Sequence, residues 1–270
     1  MVPTAVHSYE LLNDMNGTTK GVEIENVADL SLQAPVAIEG LPGVGNVGKI
    51  VVDHILAEAE STLVRRLFSE HFPPQVTLDA DGTATLPMTE IHAVELDDIQ
   101  LLLITGDHQA VTAVGHYRIT AAILDILETF DVAEVYAIGG MPTGETVEEH
   151  AVVGAVSDAD LREPLEATGV EFREGEPAGG VVGISGLLLG LGGQRDLPVS
   201  CLMGETSGYV VDPNSASAVL SVIEERLGFE FSHDRLEEQA EKIEGVIQTL
   251  QENQMAQNTL SHDDGLRYID

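Results

Sequence analysis

Short apolar runs of strand length alternate with segments of helical period along most of this chain, and that alternation restricts the fold more than any other feature. Val36–Glu39 reads as a strand and Val47–Ala59 as a helix, while "STLVRRLF" is a further strand that "FPP" breaks. "VTLDADGTATLP" has the pattern of a hairpin turning at Asp81-Gly82, and "TEIHAVELDDIQLLLITGD" that of a second antiparallel pair turning near Asp97-Asp98. Ala110–Phe130 carries Ile119, Ile123, Ile126, Leu127 and Phe130 at helical spacing. Further strands follow at "AEVYAIGG", "VEEHAVVGAVS", "VEFRE" and "LPVSCLMGETSG". Helices are expected over Asp158–Ala167, from "GISGLLLGLGG" onward, and over Asn214–Leu227. Such alternation calls for a sheet covered on both faces. The expectation is an α/β fold: a three-layer α/β/α core over residues 1–230 around a mostly parallel mixed sheet, with antiparallel hairpins added. A chain of 270 residues, 43% of them hydrophobic, is long enough to bury such a core.

Between the first strand and its helix lies "EGLPGVGNVGK", which holds two nucleotide-binding spacings at once. Gly43-x-Gly45-x-x-Gly48 matches a dinucleotide turn, and Gly43-x4-Gly48-Lys49 a phosphate-cradling loop short of its final hydroxyl. That hydroxyl, which holds magnesium, is replaced by Ile50, and Asp107 follows Gly106 with no acid pair after it. The acid that a dinucleotide site needs at the end of its second strand would be Glu60 or Glu70, and neither clearly ends a strand. The plainer reading is structural: Gly43 and Gly45 permit a tight turn, and Gly48 lets a helix approach the sheet. The alternative is a small-molecule- or nucleotide-binding α/β enzyme with a cleft near residues 43–48, Asp107 and Gly139-Gly140.

Charge narrows the partners. With 46 acidic residues against 12 basic ones the chain carries −34, spread along its length. Such a surface repels itself at ordinary salt and is relieved when the Debye length falls to about 3 Å in molar salt, so a halophilic source is inferred. Nucleic acid is not expected as a partner, because its affinity comes largely from Lys and Arg. No apolar run approaches the roughly 20 residues of a membrane span, and "MVPTAVHSYELL" lacks a basic start. The expectation is a cytoplasmic protein without a membrane partner.

Chemistry-bearing residues do not converge in the sequence. Cys201, the only cysteine, lies in an apolar run and reads as a buried, inert thiol. Nine histidines include no His-x3-His pair, so no metal site and no cofactor are expected. Ser185 in "GISGL" has Leu187 where a nucleophile elbow needs glycine. Thr206-Ser207 reads as a turn cap, and Asp107 with His108 as a polar loop after a strand. No catalytic residue is assigned.

From His233 onward the pattern changes. Leu236, Ala240, Ile243, Ile247 and Leu250 alternate spacings of four and three, the seam of a coiled-coil-like helix. A C-terminal amphipathic helix is expected over residues 231–258, packed on its own domain or on another subunit. A flexible tail, residues 259–270, ends in "LRYID".

Six segments in order resemble the proteasome assembly chaperone two family. They are "EGLPGVGNVGK", "HFPP", "LLLITGDHQ", "YAIGGMPTGE", "GGVVGISGLLLGLG" and "LMGETSGYVVDPNSASAVL", which together span roughly residues 30 to 230. The resemblance implies a core similar to the nucleoside-phosphorylase-like fold, a homo-oligomer and no catalytic activity. It makes Gly43, Gly45 and Gly48 the family's structural glycine loop. It also implies a chaperone or adaptor that binds proteasome α subunits through a C-terminal peptide ending in hydrophobic–Tyr–any residue. The positions that correspond are Leu266, Tyr268, Ile269 and Asp270. Here Tyr268 is third from the end and follows Arg267, so the motif is either shifted by one position or unused.

Overall fold

The structure, a computed structural model, describes residues 20–243 and residue 245, with residue 97 excepted. The chain opens with β1 (Val22–Asn26) and β2 (Val36–Glu39), and a glycine-rich turn leads into α1 (Val47–Glu58). β3 (Ser61–Ser69) is followed by a small hairpin of β4 (Thr77–Leu78) and β5 (Ala84–Thr85), which turns through Gly82 at φ 82°. β6 (Thr89–Glu95) and β7 (Gln100–Gly106) form the second antiparallel pair, and α2 (Ala113–Thr129) and β8 (Glu134–Pro142) follow. The rest of the core comprises β9 (Val152–Val156), a short α3 (Arg162–Glu166), α4 (Gly183–Gln194), β10 (Val199–Thr206) and α5 (Pro213–Leu227). Beyond it, residues 234–243 are helical.

Among the described residues the main sheet has eight strands, ordered β1-β3-β6-β7-β2-β8-β10-β9. Its centre is parallel: β2 pairs with β7 on one side and β8 on the other, and β8 pairs with β10. The remaining neighbours are antiparallel, which leaves the parallel block flanked by a meander on one side and β9 on the other. Successive residues of β2 serve opposite faces. Val36 and Ile38 join α1 and α5 in one apolar cluster; Ala37 joins α2 and α4 in the other. The three-layer arrangement follows from that division.

The helix ends obey local chemistry. α2 starts three residues later than its apolar spacing suggests, because Thr112 accepts a hydrogen bond from the Gly115 N–H at 3.0 Å and caps it. α5 starts at Pro213 under an Asp212 cap and stops at Gly228, whose φ is 78°.

Two elements depart from the sequence expectation. β1 was not anticipated; four of its five residues are exposed, so backbone pairing with β3 defines it and no buried face marks it. "VEFRE" is not a strand and meets β9 only through a bridge between Val153 and Glu171. The chain turns away at Glu174-Gly175, where Gly175 has φ 77°, and Arg173 beside the turn contacts Glu171 at 2.7 Å, Glu176 at 3.2 Å and Glu205 at 2.6 Å.

Candidate functional site

The carboxyl ends of β2, β7, β8 and β10 lie side by side, and the chain leaves β2 and β10 to helices on one face of the sheet and β7 to a helix on the other. Ligands in open α/β sheets bind at such a switch point. The glycine loop sits there. Gly45 has φ 62° and Asn46 φ 53°, a left-handed pair that turns the chain into α1. Gly48 brings α1 onto the sheet: a Cβ there would lie 2.5 Å from the Ile138 carbonyl oxygen of β8. Gly43 is extended, with φ −151°, and a Cβ would meet nothing nearer than 3.9 Å.

The inner side of the loop packs closely on the neighbouring strands. Thr206 Oγ1 lies 3.0 Å from the Cβ position of Gly45, and the Val44 carbonyl packs against Gly140. Lys49 is engaged already, 3.0 Å from Asp53 and 3.2 Å from Asp107. Burial works against its ammonium, yet the two carboxylates outweigh it and hold the pKa above the ordinary lysine value. Thr105 donates to Asp53 at 3.1 Å and completes the knot. Glu70 follows β3, which stands three places from β2 in the sheet. At ~4.8 Å per strand that is about 14 Å, too far for a ribose contact beside the loop. Glu60 precedes β3 and lies at the other end of the sheet.

Beneath the loop Glu39 is fully buried at the end of β2. Its carboxylate accepts from Ser185 Oγ of α4 at 2.8 Å and from the Leu41 N–H at 3.1 Å. Burial pushes its pKa up to about 7 against the pull of those two donors. Ser185 lies in the first turn of α4 and its hydroxyl donates to Glu39 at a nucleophile-to-base distance, but both side chains are buried, so the bond is closed off from solvent and ties β2 to α4. Cys201 is buried in β10, and burial, then the nearby Glu39, raises its thiol pKa well above the ordinary value. His108 meets Gln75 at 2.9 Å, and Asp107 is tied to Lys49. A cleft of about 290 Å³ near these groups is lined by Lys49, Asp53, His92, Asp107 and His108 among others. Among the described residues no group of three or more His, Cys, Asp or Glu could hold a metal ion, and no helix is long and apolar enough to cross a membrane.

The same end of the sheet carries nearly all the exposed large apolar side chains among the described residues; only Ile24 and Val27 lie elsewhere. Val44 belongs to the glycine loop, Val111, Val114 and Tyr117 to the start of α2, and Val182 precedes α4. Tyr209, 80% exposed, Val210 and Val211 follow β10. A groove of about 790 Å³ runs between residues 43–46 and residues 208–211, walled by Gln239, Lys242 and Ile243 of the C-terminal helix.

One polar constellation escaped sequence reasoning. Ser217 and Glu224 of α5 both reach His233: Ser217 Oγ lies 2.7 Å from Nδ1 and Glu224 Oε2 lies 2.9 Å from Nε2. The set has the membership of a hydrolase triad but not its setting. Ser217 stands inside a helix, where backbone N–H groups are already bonded and offer no oxyanion hole. The seven-residue spacing of Ser217 and Glu224, which puts both on one helix face, was the available signal.

Of the apolar seam, Leu236 and Ala240 are buried against the core and Ile243 is half-buried. Ile247, Leu250, Leu266, Tyr268, Ile269 and Asp270 lie outside the described residues.

A family model described as the PAC2 family matches residues 37–251. An uncharacterized protein of Methanocaldococcus jannaschii is 34% identical over 243 residues, covering 88% of this chain and 93% of that protein. The crystal structure of Pyrococcus furiosus PbaB, an archaeal proteasome activator, is 32% identical and superposes with a TM-score of 0.82 over 86% of this chain and 100% of that one. Pyrococcus furiosus PbaA, an archaeal homolog of proteasome-assembly chaperone, is 25% identical with a TM-score of 0.73, covering 93% of this chain and 100% of its own.

Proposed function

This chain belongs to the PAC2 family, and we propose from that membership that it is a non-enzymatic proteasome assembly chaperone or adaptor that binds 20S α subunits. The observation that carries the reading is the likeness to PbaB along most of this chain and all of that one. The site geometry supports it: the glycine loop is packed by the protein's own atoms, and the surrounding rim is apolar. In this reading residues 1–230 form the scaffold, the segment 231–258, whose helix starts at residue 234 and not at 231 as expected, presents the tail, and residues 259–270 reach the α ring. Leu266, Tyr268, Ile269 and Asp270 are the anchoring side chains, acting in the cytoplasm on a homo-oligomeric scaffold. A hydrophobic–Tyr peptide fits between subunits by burying its ring, with charged groups fixing its register.

The test is co-elution of the purified protein with its source's proteasome α subunits on size-exclusion chromatography in molar KCl, repeated without residues 261–270. Tail-dependent co-elution is expected. Co-elution that survives the deletion moves the contact to the core or helix, and none at all overturns the reading.

A second reading, a small-molecule-binding enzyme, is favoured by the cleft beside Lys49, Asp107 and His108. A featureless thermal-shift screen counts against it.

A further inference from the structure

The helix at residues 234–243 is joined to the core by a short strap. α5 ends at Leu227, Gly228 reverses the chain, and residues 229–233 run between bonding partners on α5 and α1. From α5, Glu224 uses both carboxylate oxygens on the strap, accepting the Phe231 N–H at 2.8 Å and meeting His233 Nε2 at 2.9 Å. From α1, His54 Nε2 lies 2.9 Å from the Ser232 carbonyl oxygen.

A carbonyl only accepts, so His54 carries its proton on Nε2. Its Nδ1 is then the bare nitrogen, buried and without a hydrogen-bond partner among the described residues. The ring is 2% exposed. A second proton at Nδ1 would place a cation where no acceptor meets it. Glu58 on the same helix favours that charge, while the strap brings His233, with ring centroids 6.2 Å apart, and Arg235 against it. Glu224 on α5 spends its charge on His233.

We propose that His54 is the proton-sensitive catch of this strap, which stays docked while the ring is neutral and lifts from the core when the ring takes its second proton. Burial, opposed by the Ser232 carbonyl and Glu58 and aided by His233 and Arg235, holds the docked pKa below the ordinary histidine value. In the lifted state the ring meets water and its pKa returns to about 6.5. Docking is therefore fully favoured above pH ~6.5 and weakens below it, by up to about tenfold per pH unit for one proton. Lifting exposes Leu236 and Ala240 and removes one wall of the groove beside Val44 and Val210. That this frees the helix bearing the tail rests on the proposed function; the movement itself does not.

Hydrogen exchange read by mass spectrometry, with the full chain alone in molar KCl from pH 8 to 5.5, separates the two. Protection factors, which remove the intrinsic pH dependence of exchange, are compared for residues 232–243 and for β2 and β8. The expected result is a progressive loss in the strap, by up to about tenfold between pH 8 and 5.5 and mostly below pH 6.5, with the sheet unchanged. His54→Gln, whose amide still donates to Ser232 but does not titrate, should hold strap protection flat. A pH-independent strap in the natural protein, a His54→Gln strap that loosens equally, or loss of sheet protection in step with the strap overturns the proposal. Should the variant fold poorly, an NMR titration of His54 in the natural protein decides: titration at or above pH 6.5 sinks it.

Discussion

Glu39 and Ser185 hold β2 to α4 through a buried carboxylate–hydroxyl bond of 2.8 Å. The folded pKa of Glu39, about 7, stands above the ~4.3 of an unfolded glutamate. Below both values each state is protonated and nothing is lost. As pH rises between them, the unfolded chain releases a proton that the folded chain keeps, so stability falls, by about 4 kcal/mol in all as an order of magnitude. Glu39→Gln keeps one donor and one acceptor in place without the charge. It should be more stable than the natural protein at pH 8 and converge with it near pH 4, as read from denaturant midpoints in fixed KCl. Equal stability at pH 8 would contradict the burial argument.

Glycines of the loop should differ sharply in tolerance. Gly48→Ala drives a methyl group into the Ile138 carbonyl and should cost about 2–3 kcal/mol, in the range of overpacking. Gly43→Ala meets open space at an ordinary φ and should stay within about 0.5 kcal/mol. Thermal unfolding of the two single variants compares them directly, and a reversed order would show the loop packed differently.

Lys49 is committed to Asp53 and Asp107, which leaves a net negative charge where a nucleotide phosphate would enter. ATP, NAD and a nucleoside should leave the melting temperature unchanged up to millimolar concentration. A saturable rise would establish a ligand site and revive the enzyme reading.

With −34 on the chain, lowering KCl from molar to about 0.1 M lengthens the Debye length to ~10 Å and restores repulsion among surface acids. The melting temperature should fall over that range, as circular dichroism can follow. A salt-independent melt removes the halophilic inference.

Local chemistry made much of the fold legible. Val36–Glu39 shows as a four-residue run bounded by glycine, and α5 as a helix between Asp212-Pro213 and Gly228, because each is specified by its own neighbours. β1 stayed hidden because it buries almost nothing and exists through its pairing with β3. "VEFRE" has strand residues, but it pairs with β9 at Glu171 alone before Gly175, at φ 77°, turns the chain away, so tertiary context prevails over propensity. At the site, the turn glycines were readable from spacing. The Glu39–Ser185 bond and the His54–Ser232 contact were not, since each joins residues more than a hundred positions apart.

The order of the sheet also bears on how the chain matures as it is synthesised. Gly45 is shaped by Thr206 and Gly48 by Ile138, so the turn that follows the second strand cannot close on its final partners until β8 and β10 have left the ribosome. The meander of β3, β6 and β7 needs only neighbours made at nearly the same time. Contacts of long sequence separation form late. A segment translated well before its partners is thus among the last to acquire its native shape, and its apolar surroundings stay uncovered until β8 and β10 arrive.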